Sequence, residues 1–281
     1  MKTGMNLLLW TGAADKTHIP LIEKIASWGF DGVEFPMFAP DKSPWADLAF
    51  VLDGYALGRT AVTVLPEGTN LIGDDASERK AAVDFLKTCI DACSELGAES
   101  LGGPLYSPVG RLVGRGPVEE EVKRCVEGLR LVGEHASEAG IMIAIEPLNR
   151  FETYFLNTQS DTARVVDQVG LPSVQQMYDT FHANIEEKGL GKAIRDAGKR
   201  ICHVHISAND RATPGEDHIN YHETFAALKA IGYDRWLTIE AFGSWLPDIA
   251  GATCIWRKMA PSEEHLAKNG LAMIKELWGK A

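Results

Sequence analysis

The sequence predicts a single (β/α)8 TIM barrel over residues 1–281, and two observations carry that reading. Eight short apolar runs alternate with longer amphipathic stretches from one end of the chain to the other, the pattern of parallel strands joined by crossover helices. No glycine-rich phosphate fingerprint follows the first run, which lowers the runner-up, an open doubly wound nucleotide-binding sheet. The chain has 281 residues, 45% of them hydrophobic and 24% charged. That is a globular composition, at a length that one-domain α/β barrels use.

The expected strands are Met5–Trp10, Gly32–Phe35, Ala61–Leu65, Ser100–Gly103, Ile141–Pro147, Val174–Asp179, Cys202–Ser207 and Leu237–Ala241. After the first, Ile19 to Trp28 has helical spacing, Gly29 ends it, and Asp31-Gly32 turns the chain into the second strand. Between strands three and four, Val83, Leu86, Ile90 and Leu96 mark one helix face. Cys89 and Cys93, four apart on that face, pack there as small apolar residues. Between strands four and five, Val122, Cys125, Val126, Leu129 and Val132 repeat the pattern. Two segments exceed simple turns, Tyr106–Gly116 and Phe242–Pro261, and loops of that length often bind ligands or act as lids.

A net charge of −11 argues against nucleic acid, whose binding rests on Lys and Arg neutralising phosphates, and against an anionic membrane surface. The apolar run in MKTGMNLLLW is too short for a secretory signal, and no stretch is long enough to span a bilayer. Five scattered cysteines do not suggest a disulfide framework. A reduced, cytoplasmic protein is the expectation.

The informative pattern lies at the ends of the last four strands. Glu146 closes IMIAIEP, Asp179 closes VQQMYD, His205 lies in CHVHIS and Glu240 closes WLTIEA. Strand alternation puts Ile141, Ile143 and Ile145 on one face and Met142, Ala144 and Glu146 on the other, toward the barrel axis. By the same rule Trp236, Thr238 and Glu240 point inward, as do His203 and His205, and Glu34 in GVEF. The carboxyl ends of barrel strands are where barrel enzymes build active sites. One Glu at a strand end is usually a solvated loop residue, and one strand histidine is usually a hydrogen-bonded core residue. Four such residues on successive strands are different. Three converging buried carboxylates would take up protons unless a cation intervenes. An O,O,O,N donor set suits Mn2+, Co2+ or Mg2+ better than structural zinc. Past these residues lie Asn149, Arg150 and Glu152 in NRFE, His182 in DTFHANIEE, and Arg211 in HISANDR. They are candidates for holding the hydroxyls of a polar substrate, with loop solvation and capping as the ordinary alternative. No anion nest with a Lys or Arg cluster is apparent, so the substrate is expected to be unphosphorylated.

IEPLNRFE, DTFHANIEE, HVH followed by NDR-x-TPG, IEAF and IWR together resemble the ketose 3-epimerase family, the tagatose, psicose (allulose) and ribulose 3-epimerases. The resemblance runs from GFDGVEF through the terminal helix. It implies one divalent ion, Mn2+ first with Co2+ or Mg2+ behind it, held by Glu146, Asp179, His205 and Glu240. It implies that Glu146 and Glu240 are also the acid/base pair. Glu152, His182 and Arg211 would contact the sugar, a free ketose, in a homodimer or homotetramer. The implied reaction is C3 epimerisation by proton abstraction and return through a cis-enediolate. Some psicose-type members carry Trp where this chain aligns Ala14 and Val109, and some relatives carry an aromatic at Asn6, so the distal pocket walls are expected to differ. An aldose–ketose isomerase or a polyol dehydratase on the same framework stays open, as does, more remotely, a non-catalytic sugar-binding protein. A multi-zinc repair nuclease would need more histidines and a basic groove.

Overall fold

Alternating apolar runs can bury both faces of every strand only if the sheet closes and helices cover its outside. In the computed structural model, which describes residues Met1–Ala281, eight parallel strands close into a barrel in chain order. They are β1 (Lys2–Asn6), β2 (Gly32–Pro36), β3 (Gly58–Val62), β4 (Ser100–Gly103), β5 (Met142–Ile145), β6 (Val174–Asp179), β7 (Ile201–Ile206) and β8 (Trp236–Ile239). The intervening helices are α1 (Ile19–Trp28), α2 (Trp45–Gly54), α3 (Ala76–Leu96), α4 (Glu119–Ala139), α5 (Gln159–Val169), α6 (Thr180–Glu186), α7 (Leu190–Ala197) and α8 (Tyr221–Ala230). α9 (Pro247–Thr253) and α10 (Glu263–Lys280) follow the last strand. No helix is long and apolar enough to cross a membrane.

All eight strands exist, but two start three residues earlier than expected. The run Met5–Trp10 is strand only to Asn6, whose side chain accepts a hydrogen bond from Leu8 N and caps a short 3-10 turn over Leu7–Leu9. The leucines stay buried without joining the ladder. β3 begins at Gly58 rather than Ala61 because its polar start is also satisfied. Arg59 donates outward to the Leu96 and Ala49 carbonyls, and Thr60 donates inward to Glu34. In both cases hydrophobicity marked burial, and burial did not coincide with pairing.

The predicted alternation on β5 holds. Ile143 and Ile145 pack in the large core between strands and helices, whereas Ala144 packs inside the barrel with Met177 and Cys202. At the amino end the Trp236 indole plugs the barrel and donates from Nε1 to Glu99 Oε2 at 3.0 Å. It fits because β2 and β3 present Gly32 and Gly58 beneath it. A Cβ on Gly32 would run into the indole and stand 2.5 Å from the Gly58 carbonyl oxygen. Neither a rigid ring nor a strand backbone yields cheaply. Gly32→Ala is therefore expected to destabilise the fold by about 1–3 kcal/mol, the usual range for overpacking, read as a lower urea midpoint at unchanged slope. An unchanged midpoint would mean the barrel floor is loose.

The register shift between β6 and β7 at Gln176/Met177 matters for function. Beyond it, Asp179 pairs with His205, and His205 pairs with Thr238 on β8. β5 ends at Ile145, opposite Gly103, so Glu146 is the next residue out. Backbone pairing thus brings the four strand-end residues to one rim.

Candidate active site

Each of the four is fixed by its own local structure. Glu146 is held through its main chain, its N–H donating to the Gly103 carbonyl at 3.0 Å and its carbonyl accepting from the Tyr106 hydroxyl at 3.1 Å. Its carboxylate is left to the cavity. Asp179 caps α6, with Oδ1 accepting from Phe181 N at 2.6 Å and His182 N at 3.2 Å, which turns Oδ2 to the site. There Oδ2 accepts from Ser207 Oγ at 3.0 Å and Arg211 Nη1 at 3.3 Å. Glu240 Oε2 accepts from Arg211 Nη1 at 2.8 Å, and Glu240 Oε1 stands 3.3 Å from His205 Nδ1. All four side chains are buried.

Arg211 has a left-handed backbone (φ 62°), an uncommon conformation outside glycine that suggests a functional constraint. It is held there because its N–H donates to Ala208 O and its carbonyl accepts from Phe242 N, both at 3.0 Å. The guanidinium lies 3.8 Å from the Phe181 ring centroid. His182 Nδ1 lies 3.0 Å from Asn149 N and Nε2 lies 2.9 Å from Arg211 Nη2; both neighbours are donors, and a neutral ring accepts from one of them. Burial, with the Arg211 charge, lowers the His182 pKa to about 3 and keeps the ring neutral. Glu152 Oε1 accepts from Asn149 Nδ2 at 2.7 Å.

Burial pushes the Glu146 carboxyl well above the carboxylate range, reinforced by the Glu240 and Asp179 charges. For Asp179, burial acts the same way, but Arg211 and the neighbouring histidines outweigh it and hold the carboxyl below its ordinary value. Burial alone would lower His205, yet Glu240 and Glu34 hold it well above the histidine range. These are the opposed shifts expected where charges are crowded at a functional site.

Glu146, Asp179, His205 and Glu240 each offer one ligand atom, and these four atoms all lie within 4.8 Å of one another. Glu146 Oε1 and His205 Nδ1 are buried without a hydrogen-bond partner. Such orphans are rare and call for an explanation. Three oxygens and one nitrogen around a common point are what a hard divalent cation takes up, and the residues fit one.

A cavity of about 350 Å³ opens onto Glu146 and Glu240. Glu146, Glu240, Glu152, His182 and Arg211 line its polar floor. Its outer wall is apolar, made by Leu8, Phe38, Val62, Val109, Phe242 and Ile249.

The chain matches the xylose isomerase-like TIM barrel family over residues 22–277. It is 33% identical to a probable ketose 3-epimerase of Synechocystis sp. over 278 residues, 99% of this chain and 97% of the relative. The D-psicose 3-epimerase of Agrobacterium fabrum is 31% identical over 291 residues, 99% of this chain and 100% of its own length. The chain belongs to the ketose 3-epimerases of the xylose isomerase-like TIM barrel family. A crystal structure of the D-allulose 3-epimerase from Methylomonas sp. in complex with D-allulose superposes with a TM-score of 0.93 at 28% identity, covering 98% of this chain and 96% of that one. The family is one of enzymes, isomerases acting on carbohydrates.

The geometry also corrects details of the sequence reading. Arg150 turns away from the cavity and pairs with Glu186 at 3.0 Å. Asn6 and Ala14 are buried and do not line the cavity, whereas Val109 does. The segment Phe242–Pro261 contains α9, which adds Asp248, Ile249, Ala252 and Thr253 to the cavity wall. Its Leu246-Pro247 start was a readable helix signal. Ser207, which donates to Asp179, had no distinguishing pattern.

Proposed function

We propose that this enzyme inverts C3 of free ketoses, such as D-fructose/D-psicose, D-tagatose/D-sorbose or ribulose/xylulose, in a reaction that depends on one divalent ion. The observation that carries the reading is the convergence of buried Glu146 and Glu240, from the ends of β5 and β8, on one cavity beside Asp179 and His205. The ion, held by these four residues, supplies Lewis acidity to the ketose carbonyl. The oxygen-rich donor set favours Mn2+, with Co2+ or Mg2+ as alternatives.

The C3 proton is acidified by the neighbouring carbonyl, and inversion needs a base on one face of the enediolate and an acid on the other. Glu146 and Glu240 fill those roles in either direction. Arg211 and His182, the latter kept neutral, face the cavity together and contact the sugar oxygens. Glu152, anchored by Asn149, accepts from a hydroxyl. The apolar outer wall gives the distal carbons contact area but few hydrogen bonds, which suits acceptance of more than one ketose.

A proton NMR time course with ketohexoses and Mn2+ tests the reaction. A C3 epimer without aldose or alkene is expected; aldose would indicate an isomerase and alkene a dehydratase. Glu152→Ala is expected to lower kcat/KM by roughly 10–100-fold, the worth of a hydrogen bond to a charged group, with ion affinity unchanged. Weakened ion binding would move Glu152 into the ligand set.

The barrel is read as one catalytic domain. Exposed Leu112 and Phe151 sit on loops joined by a 2.7 Å bond from Gly110 N to Glu152 O, and this is where we place the contact of a homodimer or homotetramer. Sedimentation of wild type against Phe151→Asp tests it. All five cysteines are unpaired, in keeping with a cytoplasmic setting.

A further inference from the structure

Glu34 is a buried charge that the proposed chemistry leaves unused. It projects from β2 into the barrel, fully buried, with no Lys or Arg among its hydrogen-bond and ion-pair partners. Oε1 accepts from Asn6 Nδ2 at 2.9 Å and stands 2.6 Å from His205 Nε2, while Oε2 accepts from Thr60 Oγ1 at 2.8 Å. His203 Nε2 lies 2.7 Å from Oε2 but off the line of a hydrogen bond, and neither of its ring nitrogens has a partner.

Glu34, His203 and His205 group like a second ion site, but the spacing argues otherwise. Ligand atoms each about 2.1 Å from one ion stand about 3 Å or more apart. Contacts of 2.6 and 2.7 Å are hydrogen-bond distances, with no room for an ion between the atoms. An ionised carboxylate sealed in a barrel is costly, and an apolar residue of similar size would avoid the cost. Retaining it requires a use.

We propose that Glu34 is a positioning residue for the ion centre: by accepting the proton of His205 Nε2, it leaves the Nδ1 lone pair directed at the ion shared with Asp179 and Glu240. This rests on the ion centre proposed above. Two observations support it. His205 Nδ1, the nitrogen facing Asp179 and Glu240, is the buried atom without a partner. Glu34 is itself pinned from β1 by Asn6 and from β3 by Thr60, so its oxygen cannot swing from the imidazole. A ligating histidine has its orientation set by what its second nitrogen bonds, and loss of that partner weakens ion binding by about 10–100-fold. The role also explains Asn6, which serves the carboxylate instead of the cavity wall.

The test needs no sugar. Mn2+ affinity is measured by calorimetry for wild type and Glu34→Leu, an apolar change of similar size that removes the acceptor. The expected result is about 10–100-fold weaker binding by the variant, with cooperative unfolding retained in the ion-free form. Equal affinity overturns the role of Glu34. Wild type that binds no Mn2+ overturns the ion centre, and this inference with it, so the two failures are told apart. Nitrogen-15 NMR of Zn2+-loaded wild type gives a readout that needs no variant to fold. His205 should carry its proton on Nε2 and ligate through Nδ1; the reverse assignment overturns the proposal.

Discussion

Glu146→Gln and Glu240→Gln are each expected to lower kcat/KM by about 10⁴-fold or more, with the circular dichroism spectrum of wild type. Positioned acid/base catalysis contributes about 10²–10⁴-fold, and each of these residues is also proposed to ligate the ion. The fold should survive because neither carboxylate holds it. Glu146 makes its structural bonds through the main chain, to Gly103 and Tyr106, and Gln keeps the side-chain shape. Asp179→Asn separates the two roles. It removes a ligand charge but no proton carrier, so excess Mn2+ should restore part of its activity and little of the other two. The ion-free Glu146 variant should also unfold no earlier than wild type, since it replaces a carboxyl that burial already drives toward the neutral form. Near-normal epimerisation by either Gln variant would remove that residue from the acid/base pair.

The strand-end residues were legible because two simple periodicities coincide at them. Period-two alternation assigned Glu146, His205 and Glu240 to the barrel axis, and the end of each apolar run put these three and Asp179 at the rim. The structure brings all four together. Alternation also pointed Glu34 inward, yet nothing local to GVEF reveals that it meets His205, a residue 171 positions away. Closure of the barrel creates that pair. The strand limits failed where burial and pairing part company: Leu7–Leu9 are apolar and unpaired, whereas Arg59 and Thr60 are polar and paired. The cavity wall was the least readable part, because Ile249 and Thr253 reach it through a short helix whose one local signal is Pro247 at its start.

Chelation is the second change with a large expected effect. Wild type stripped with EDTA should lose turnover and unfold at a lower temperature, and Mn2+ at a hundred times its Kd should restore about 2.7 kcal/mol of stability along with activity. The dependence on pH follows from the groups that the ion must displace. In the ion-free protein the Glu146 carboxyl is raised by burial and by the Glu240 and Asp179 charges, and His205 is raised by Glu240 and Glu34 against its burial. Both therefore hold protons under conditions where free side chains of the same types have lost theirs. Ligation requires carboxylate and neutral imidazole, so ion uptake must release protons and the affinity must fall as pH falls. Asp179 opposes this little, since Arg211 and the histidines keep it ionised. Calorimetry in two buffers of different ionisation enthalpy measures the release directly. Proton uptake on Mn2+ binding, or full turnover after exhaustive chelation, would exclude these four residues as the ion's ligands.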